Sequence, residues 1–302
     1  MILVGDVKEQ LRTLPDGSVN CVVTSPPYWG LRDYGQEGQL GLERTPEEYV
    51  DNMVEVFREV RRVLSDDGTL WLNIGDSYSG SGKGPAGNLG KKHNERHLEH
   101  KHSKVVPSGT KPKDLVGVPW MLAFALRADG WYLRQDIIWA KPNVMPESVR
   151  DRCTKSHEYV FLLTKSPKYY YDHVAIKEPV SDVSLKRAQS GWKSNRPSAK
   201  AGPNGVDVEQ MGTRFVNPDG RNKRDVWFIP TASFKGAHFA VMPERLVEPC
   251  ILAGCPENGV VLDPFFGSGT VGVVANKHNR KYIGVELNPE YVEIAKKRLG
   301  IV

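Results

Sequence analysis

The fifteen residues VLDPFFGSGTVGVVA, at 261–275, read as a strand, a tight glycine turn and a helix with nothing between them. Gly267 and Gly269 let the backbone turn sharply and come close to a ligand. The same strand–helix alternation runs through most of the chain. Short apolar or β-branched runs occur at 2–4, 19–25, 69–75, 131–140, 158–164, 259–263 and 281–286. Between them lie helical patterns. Thr45 suits an N-cap, Pro46 the first helical position and Glu48 a capping box. Val50, Met53, Val54, Phe57, Val60 and Leu64 follow at helical spacing, and residues 65–68 stop the run. Further helices are expected up to about 129–130, over 239–252, from Gly269, and after Asn288 as N-cap with Pro289 inside the start. Such alternation predicts a three-layer αβα domain, its mostly parallel sheet covered on both faces.

The chain has 302 residues, 39% hydrophobic and 25% charged, enough for a sizeable core in one domain spanning 1–302. Two stretches break the rhythm and read as excursions from it. Residues 77–113 are rich in Gly, Ser, Lys and His, with eight Lys or Arg against two acids, and read as a long basic loop. Residues 172–235 open with a polar run in which 177–225 hold ten Lys or Arg and six acids. A net charge of +5 permits a polyanionic partner without demanding one. Four cysteines, none at zinc-ribbon spacing, suit a reduced compartment. With no leader pattern and no apolar run near the ~20 residues that span a bilayer, a cytoplasmic protein with no membrane partner is expected.

Glu286 ends the strand after the glycine turn, where an acid can accept hydrogen bonds from ribose hydroxyls. Asp263, at the turn itself, would repel a pyrophosphate but attract an ammonium group, and the full dinucleotide spacing G-x-G-x-x-G is missing. A nucleoside carrying an amino-acid tail fits this pair, and S-adenosylmethionine is such a molecule. Near the other end of the chain, TSPPYW (24–29) follows a strand. Prolines carry no N–H, so the carbonyls beside them face a ligand without competing donors. Ser25 Oγ and a proline carbonyl offer two acceptors and Tyr28 a flat face, which suits an exocyclic amine on a planar base.

Ser25-Pro26-Pro27-Tyr28, together with Asp263-Pro264-Phe265-Phe266-Gly267-Ser268-Gly269-Thr270, resembles the amino-methylating DNA methyltransferases, which act on N4 of cytosine or N6 of adenine. The catalytic motif precedes the cofactor motif, which resembles the β class, a circularly permuted order with target recognition between the two. The resemblance implies a Rossmann-like methyltransferase fold. It assigns Ser25, Pro26, Pro27 and Tyr28 to catalysis on a flipped base in double-stranded DNA. It assigns Asp6, His238, Asp263, Phe265, Gly267, Ser268, Gly269, Thr270 and Glu286 to S-adenosylmethionine. His238 and Pro243 match the family's His-Pro-x-x-x-Pro motif, but Phe239 replaces its first proline. The recognition region falls on 172–235. A homodimer and a cognate restriction endonuclease are the candidate protein partners. Serine in the first motif position is commoner among N4-cytosine enzymes, so cytosine N4 is expected, with adenine N6 as the alternative.

Other readings are weaker. Pro249-Cys250 resembles the nucleophile pair of cytosine C5 enzymes, but it falls in a helix and not at the catalytic strand end. His93 and His97 have helical spacing, yet no cysteine or well-placed carboxylate joins them, and no metal is expected. Protein-glutamine methylation uses a similar motif, but with Asn and the opposite motif order. A non-catalytic DNA-binding protein on a decayed fold sits badly with two intact motifs.

Overall fold

The computed structural model describes residues 1–80, 106–181, 183, 186, 220–232 and 241–301. The expectations placed on His93, His97 and His238 lie outside these residues. Contacts group the chain into two units, residues 172–224 and the remainder.

Among the described residues, the larger unit is built on one eight-stranded sheet. Its strands are β1 (Ile2–Val4), β2 (Val19–Thr24), β3 (Leu64–Ile74), β4 (Tyr132–Ala140), β5 (His157–Thr164), β6 (Val226–Phe228), β7 (Val260–Asp263) and β8 (Lys281–Glu286). Their spatial order is β1-β8-β7-β2-β3-β5-β4-β6, and every neighbouring pair is parallel except the two that include β5. The helices are α1 (Val7–Arg12), α2 (Pro46–Val63), α3 (Val118–Ala128), α4 (Glu244–Gly254), α5 (Thr270–Lys277) and α6 (Pro289–Leu299). This is the α/β architecture the alternation predicts. The first strand lies beside the last, so the N-terminus completes the half of the sheet built by β7 and β8.

Local chemistry explains most boundaries. Thr45 Oγ1 accepts from Glu48 N at 3.1 Å and caps α2. The Glu48 carboxylate reaches past Thr45 to Arg44 N, one residue beyond the expected capping box. Tyr49, Val50, Met53, Val54, Val56, Phe57, Val60 and Val63 bury one broad face of α2. Burying a side chain the size of Phe57 contributes about 1.5–3 kcal/mol. Residues 65–68 do stop the helix, but not as a turn outside the sheet. They bulge from β3, whose Leu64 pairs with Val19 and whose Thr69 pairs with Cys21. Asp6 caps α1 by accepting from Lys8 N and Glu9 N, and Asn288 caps α6 by accepting from Glu290 N. Gly117 offers no side chain at the start of α3; Asp76 supplies the cap, accepting from Gly117 N and Val118 N. The short elements α1 and β6 carry too few residues to show a period in the sequence.

In the smaller unit, Glu178 and Arg221 form an antiparallel bridge through two backbone hydrogen bonds of 2.9 Å. The Glu178 carboxylate also pairs with Arg221 at 3.2 Å and Arg224 at 2.9 Å, so two of the basic residues there are matched by an acid.

Candidate active site

Parallel strands put their carboxyl ends on one edge of the sheet. From β7 the chain winds through α5 to β8 on one side; from β2 it winds through α2 to β3 on the other. The crevice at such a reversal is where open α/β sheets take ligands. Here Thr24 ends β2 and Asp263 ends β7, and Thr24 Oγ1 donates to Asp263 Oδ1 at 2.7 Å. The two motifs, 238 residues apart from Ser25 to Asp263, therefore abut. A cavity of about 360 Å³ opens over them, within the usual size of small-molecule sites. Ser25, Pro26, Pro27 and Tyr28 line it, as do Asp6, Asp263, Phe265, Gly267, Ser268, Thr270 and Glu286.

The glycine turn is held tightly. Gly269 has φ 79°, and a Cβ there would lie 3.0 Å from Ala295 Cβ. Glu286 accepts from Gly267 N at 2.7 Å and from Asn288 N at 2.8 Å. Burial raises its carboxyl above the ordinary range, against the pull of these amides. The hydroxyls of Ser268 and Thr270 both accept from Arg298 Nη1, at 2.8 and 3.0 Å, and so brace the turn from behind. Asp263 is almost wholly buried, with Thr24 Oγ1 and Phe265 N on one oxygen. Burial pushes its carboxyl up to about 7, and Glu286 adds to the push.

The other end of the cavity carries a polar cluster that the sequence reading did not single out. Tyr28 Oη donates to Glu158 Oε2 at 2.8 Å, and Ser25 Oγ contacts Tyr28 Oη at 3.3 Å. Asn73 Nδ2 donates to Glu158 Oε2 at 3.1 Å, and Lys141 pairs with Glu158 Oε1. Lys141 Nζ also sits 4.2 Å from the Trp139 ring centroid. Asn73 and Glu158 stand among apolar residues in β3 and β5, which is the one signal that marks them in the sequence.

The two proline carbonyls are not equivalent. Tyr49 Oη donates to Pro27 O at 2.8 Å, whereas no described residue donates to Pro26 O. The expectation of bare carbonyls thus narrows to Pro26. Trp29 packs in the core and donates to Glu43 O, away from the cavity. Cys250 is buried in α4, its Sγ donating to Leu246 O at 3.3 Å, and is no part of the cavity lining. Among the described residues no cluster of metal-ligating side chains occurs.

The DNA methylase family model for N6 and N4 enzymes matches residues 19–297. The chain belongs to the DNA methylase family. This methylase is 50% identical over 295 residues to the Type II methyltransferase M.Cfr9I of Citrobacter freundii, covering 98% of its own length and 86% of that protein's. It is 49% identical over 298 residues to M.SmaI of Serratia marcescens, covering 99% and 90% respectively. Among solved structures it is similar to the cytosine-N4-specific PvuII DNA methyltransferase, with TM-score 0.64 and 19% identity over 99% of this chain and 85% of that one. It is also similar to M1.HpyAVI in complex with S-adenosylmethionine, with TM-score 0.56 and 17% identity over 99% and 98%. The methylase uses S-adenosylmethionine as its methyl donor and DNA as its substrate. No described helix is long and apolar enough to cross a membrane.

Proposed function

We propose that this methylase transfers a methyl group to the N4 amine of a cytosine flipped out of duplex DNA. The observation that carries the reading is the 2.7 Å Thr24–Asp263 bond, which sets Ser25 and the glycine turn side by side over one cavity. Serine in the first motif position favours cytosine over adenine.

The cavity fits the cofactor. Asp263 is a buried acid with no cation beside it among the described residues, and an ammonium group would supply one. Glu286 keeps lone pairs for ribose hydroxyls beyond those its two amide contacts use. Gly267 allows close approach of the backbone, with Phe265, Ser268, Thr270 and Asp6 also lining the cavity, while Gly269 lets the turn pack against Ala295. S-adenosylmethionine, when bound, supplies a methyl group activated on a sulfonium. Ser25 Oγ and the Pro26 carbonyl each accept one hydrogen of the base amine, which draws its lone pair out of the ring. Pro27 fixes the backbone through Tyr49, and Tyr28 provides the aromatic surface. Positioning and oriented dipoles supply most of the rate. A base inside a duplex is out of reach, so it must be extruded, and stacking on Tyr28 would return about 1–3 kcal/mol of that cost.

The basic stretches 77–113 and 172–235 are assigned to DNA contact and target recognition, in keeping with their charge and their place between the motifs. Its relatives are Type II methyltransferases, which supports a role in restriction–modification beside a cognate endonuclease, and a homodimer accords with the β-class motif order. Mass spectrometry of nucleosides from DNA methylated by the purified protein tests the base. N4-methylcytosine is expected; N6-methyladenine alone would overturn the assignment.

A further inference from the structure

The polar cluster beside Ser25 has a hydrogen-bond direction that donor counting determines. Glu158 faces donors from the ends of two strands and from the loop after β2. Lys141 at the end of β4 meets Oε1, while Asn73 of β3 and Tyr28 meet Oε2. Lys155, before β5, adds a second positive charge nearby. An ionised carboxylate accepts hydrogen bonds and donates none. Tyr28 has one proton, and its 2.8 Å contact with Glu158 is far better than its 3.4 Å contact with Asn73 Oδ1. The remaining contact, Ser25 Oγ to Tyr28 Oη at 3.3 Å, then has one arrangement: Ser25 donates. In this long contact the hydroxyl proton of Ser25 points to Tyr28, and its lone pairs are left for the cavity.

The arrangement is built in by the backbone. Gly75 follows β3, and a Cβ there would lie 2.8 Å from Tyr28 Cε2 and 3.2 Å from Glu158 Cγ. A side chain at this position would push the pair apart.

We infer that Glu158, held by Lys141, is a specificity-determining positioning residue that keeps Ser25 a pure acceptor, so that the site takes a base amine and rejects a base carbonyl at the same place. The inference rests on the reading of Ser25 as the residue that meets the base. Acting through Tyr28, Glu158 decides which way the serine proton points. An oppositely directed chain would place that proton in the cavity, where it would greet the O4 of uracil and repel the N4 amine of cytosine. A mismatch of this kind leaves polar groups unpaired in a closed site, which is how enzymes obtain large discrimination from small chemical differences.

Glu158→Gln tests it. Lys141 holds the amide oxygen towards itself, so the amide NH₂ takes the place of Oε2 opposite Tyr28 and Asn73 Nδ2; it cannot accept the Tyr28 proton, which is freed to turn towards Ser25 and reverse the chain. The probe is a pair of duplexes carrying the site methylated in cells, identical except for cytosine or uracil at the target. Fluorescence anisotropy gives the affinity ratio. The opposite base and the cost of extrusion are common to wild type and variant, so the change in ratio reports the site. The cytosine-over-uracil preference is expected to fall at least tenfold in Glu158→Gln and to be partly restored in Glu158→Asp. Tyr28→Phe keeps the ring but removes the phenol, and is expected to lower the ratio as well; it decides the matter where Glu158→Gln does not fold. A ratio within twofold of wild type in the folded variants overturns the inference. Where the methylated base proves to be adenine, adenine and hypoxanthine replace the pair, since the argument concerns amine against carbonyl; a wrong base assignment therefore reads differently from a wrong role for Glu158. Methylation unaffected by Ser25→Ala would remove the reading beneath both.

Discussion

Binding of S-adenosylmethionine should be linked to loss of a proton from Asp263. The carboxyl is buried beneath the glycine turn and raised to about 7 by that burial, so near neutrality the ligand-free protein holds it partly protonated. A cationic amino-acid tail favours the ionised form, and binding must expel whatever proton is there. With a carboxyl at about 7 and binding to the ionised form alone, apparent Kd tightens about eightfold between pH 6 and pH 7.5, or about 1.3 kcal/mol. An α-amino group of ordinary pKa, about 7.7–8.0, is already losing its own charge near pH 7.5, which trims the gain there and levels it off above. Isothermal titration calorimetry over this range gives Kd directly. Repeating it near pH 7 in buffers of different ionisation heat counts the protons released, about half of one per site. Asp263→Asn should bind weakly and show no such pH dependence. A wild-type Kd constant within twofold from pH 6 to 7.5, with no buffer dependence, would refute the reasoning. The sign for the fold is opposite. Without ligand, the folded state holds a proton that the unfolded state has already released, so this carboxyl lowers stability as pH rises from 3.8 to about 7.

Two further substitutions probe the frame around the site. Tyr49→Phe removes the donor to Pro27 O and should cost about 0.5–1.5 kcal/mol in chemical denaturation; its turnover should fall while cofactor affinity, measured by calorimetry, stays near wild type. Gly269→Ala places a side chain at φ 79° and 3.0 Å from Ala295, and should weaken cofactor binding at least tenfold while thermal unfolding remains cooperative.

Much of this protein was legible in the sequence because the information was local. Thr45, Pro46 and a 3.6-residue period announce α2; Asn288 and Pro289 announce α6; the run 261–275 announces the turn. The antiparallel direction of β5 was not legible, since its residues read like those of any buried strand. The polar cluster was hidden for a different reason. Tyr28 and Glu158 are 130 positions apart, and only the adjacency of β3 and β5 brings Asn73, Glu158 and the S-P-P-Y loop together. Likewise no local rule says that Tyr49, one turn into a helix, would occupy the carbonyl of Pro27 and leave that of Pro26.

The place of β1 beside β8 bears on how the protein is made. Gly284 N donates to Met1 O and Gly5 N to Glu286 O, so β1 waits for β8 to be translated before it has a sheet partner. At about 5–20 residues per second, a ribosome needs roughly 10–50 s to travel from Ser25 to Glu286. During that interval the growing polypeptide carries the S-P-P-Y loop without the glycine turn and Glu286 that line the same cavity. A cavity lined by both motifs can therefore arise only once β8 has been translated, never in a shorter nascent fragment.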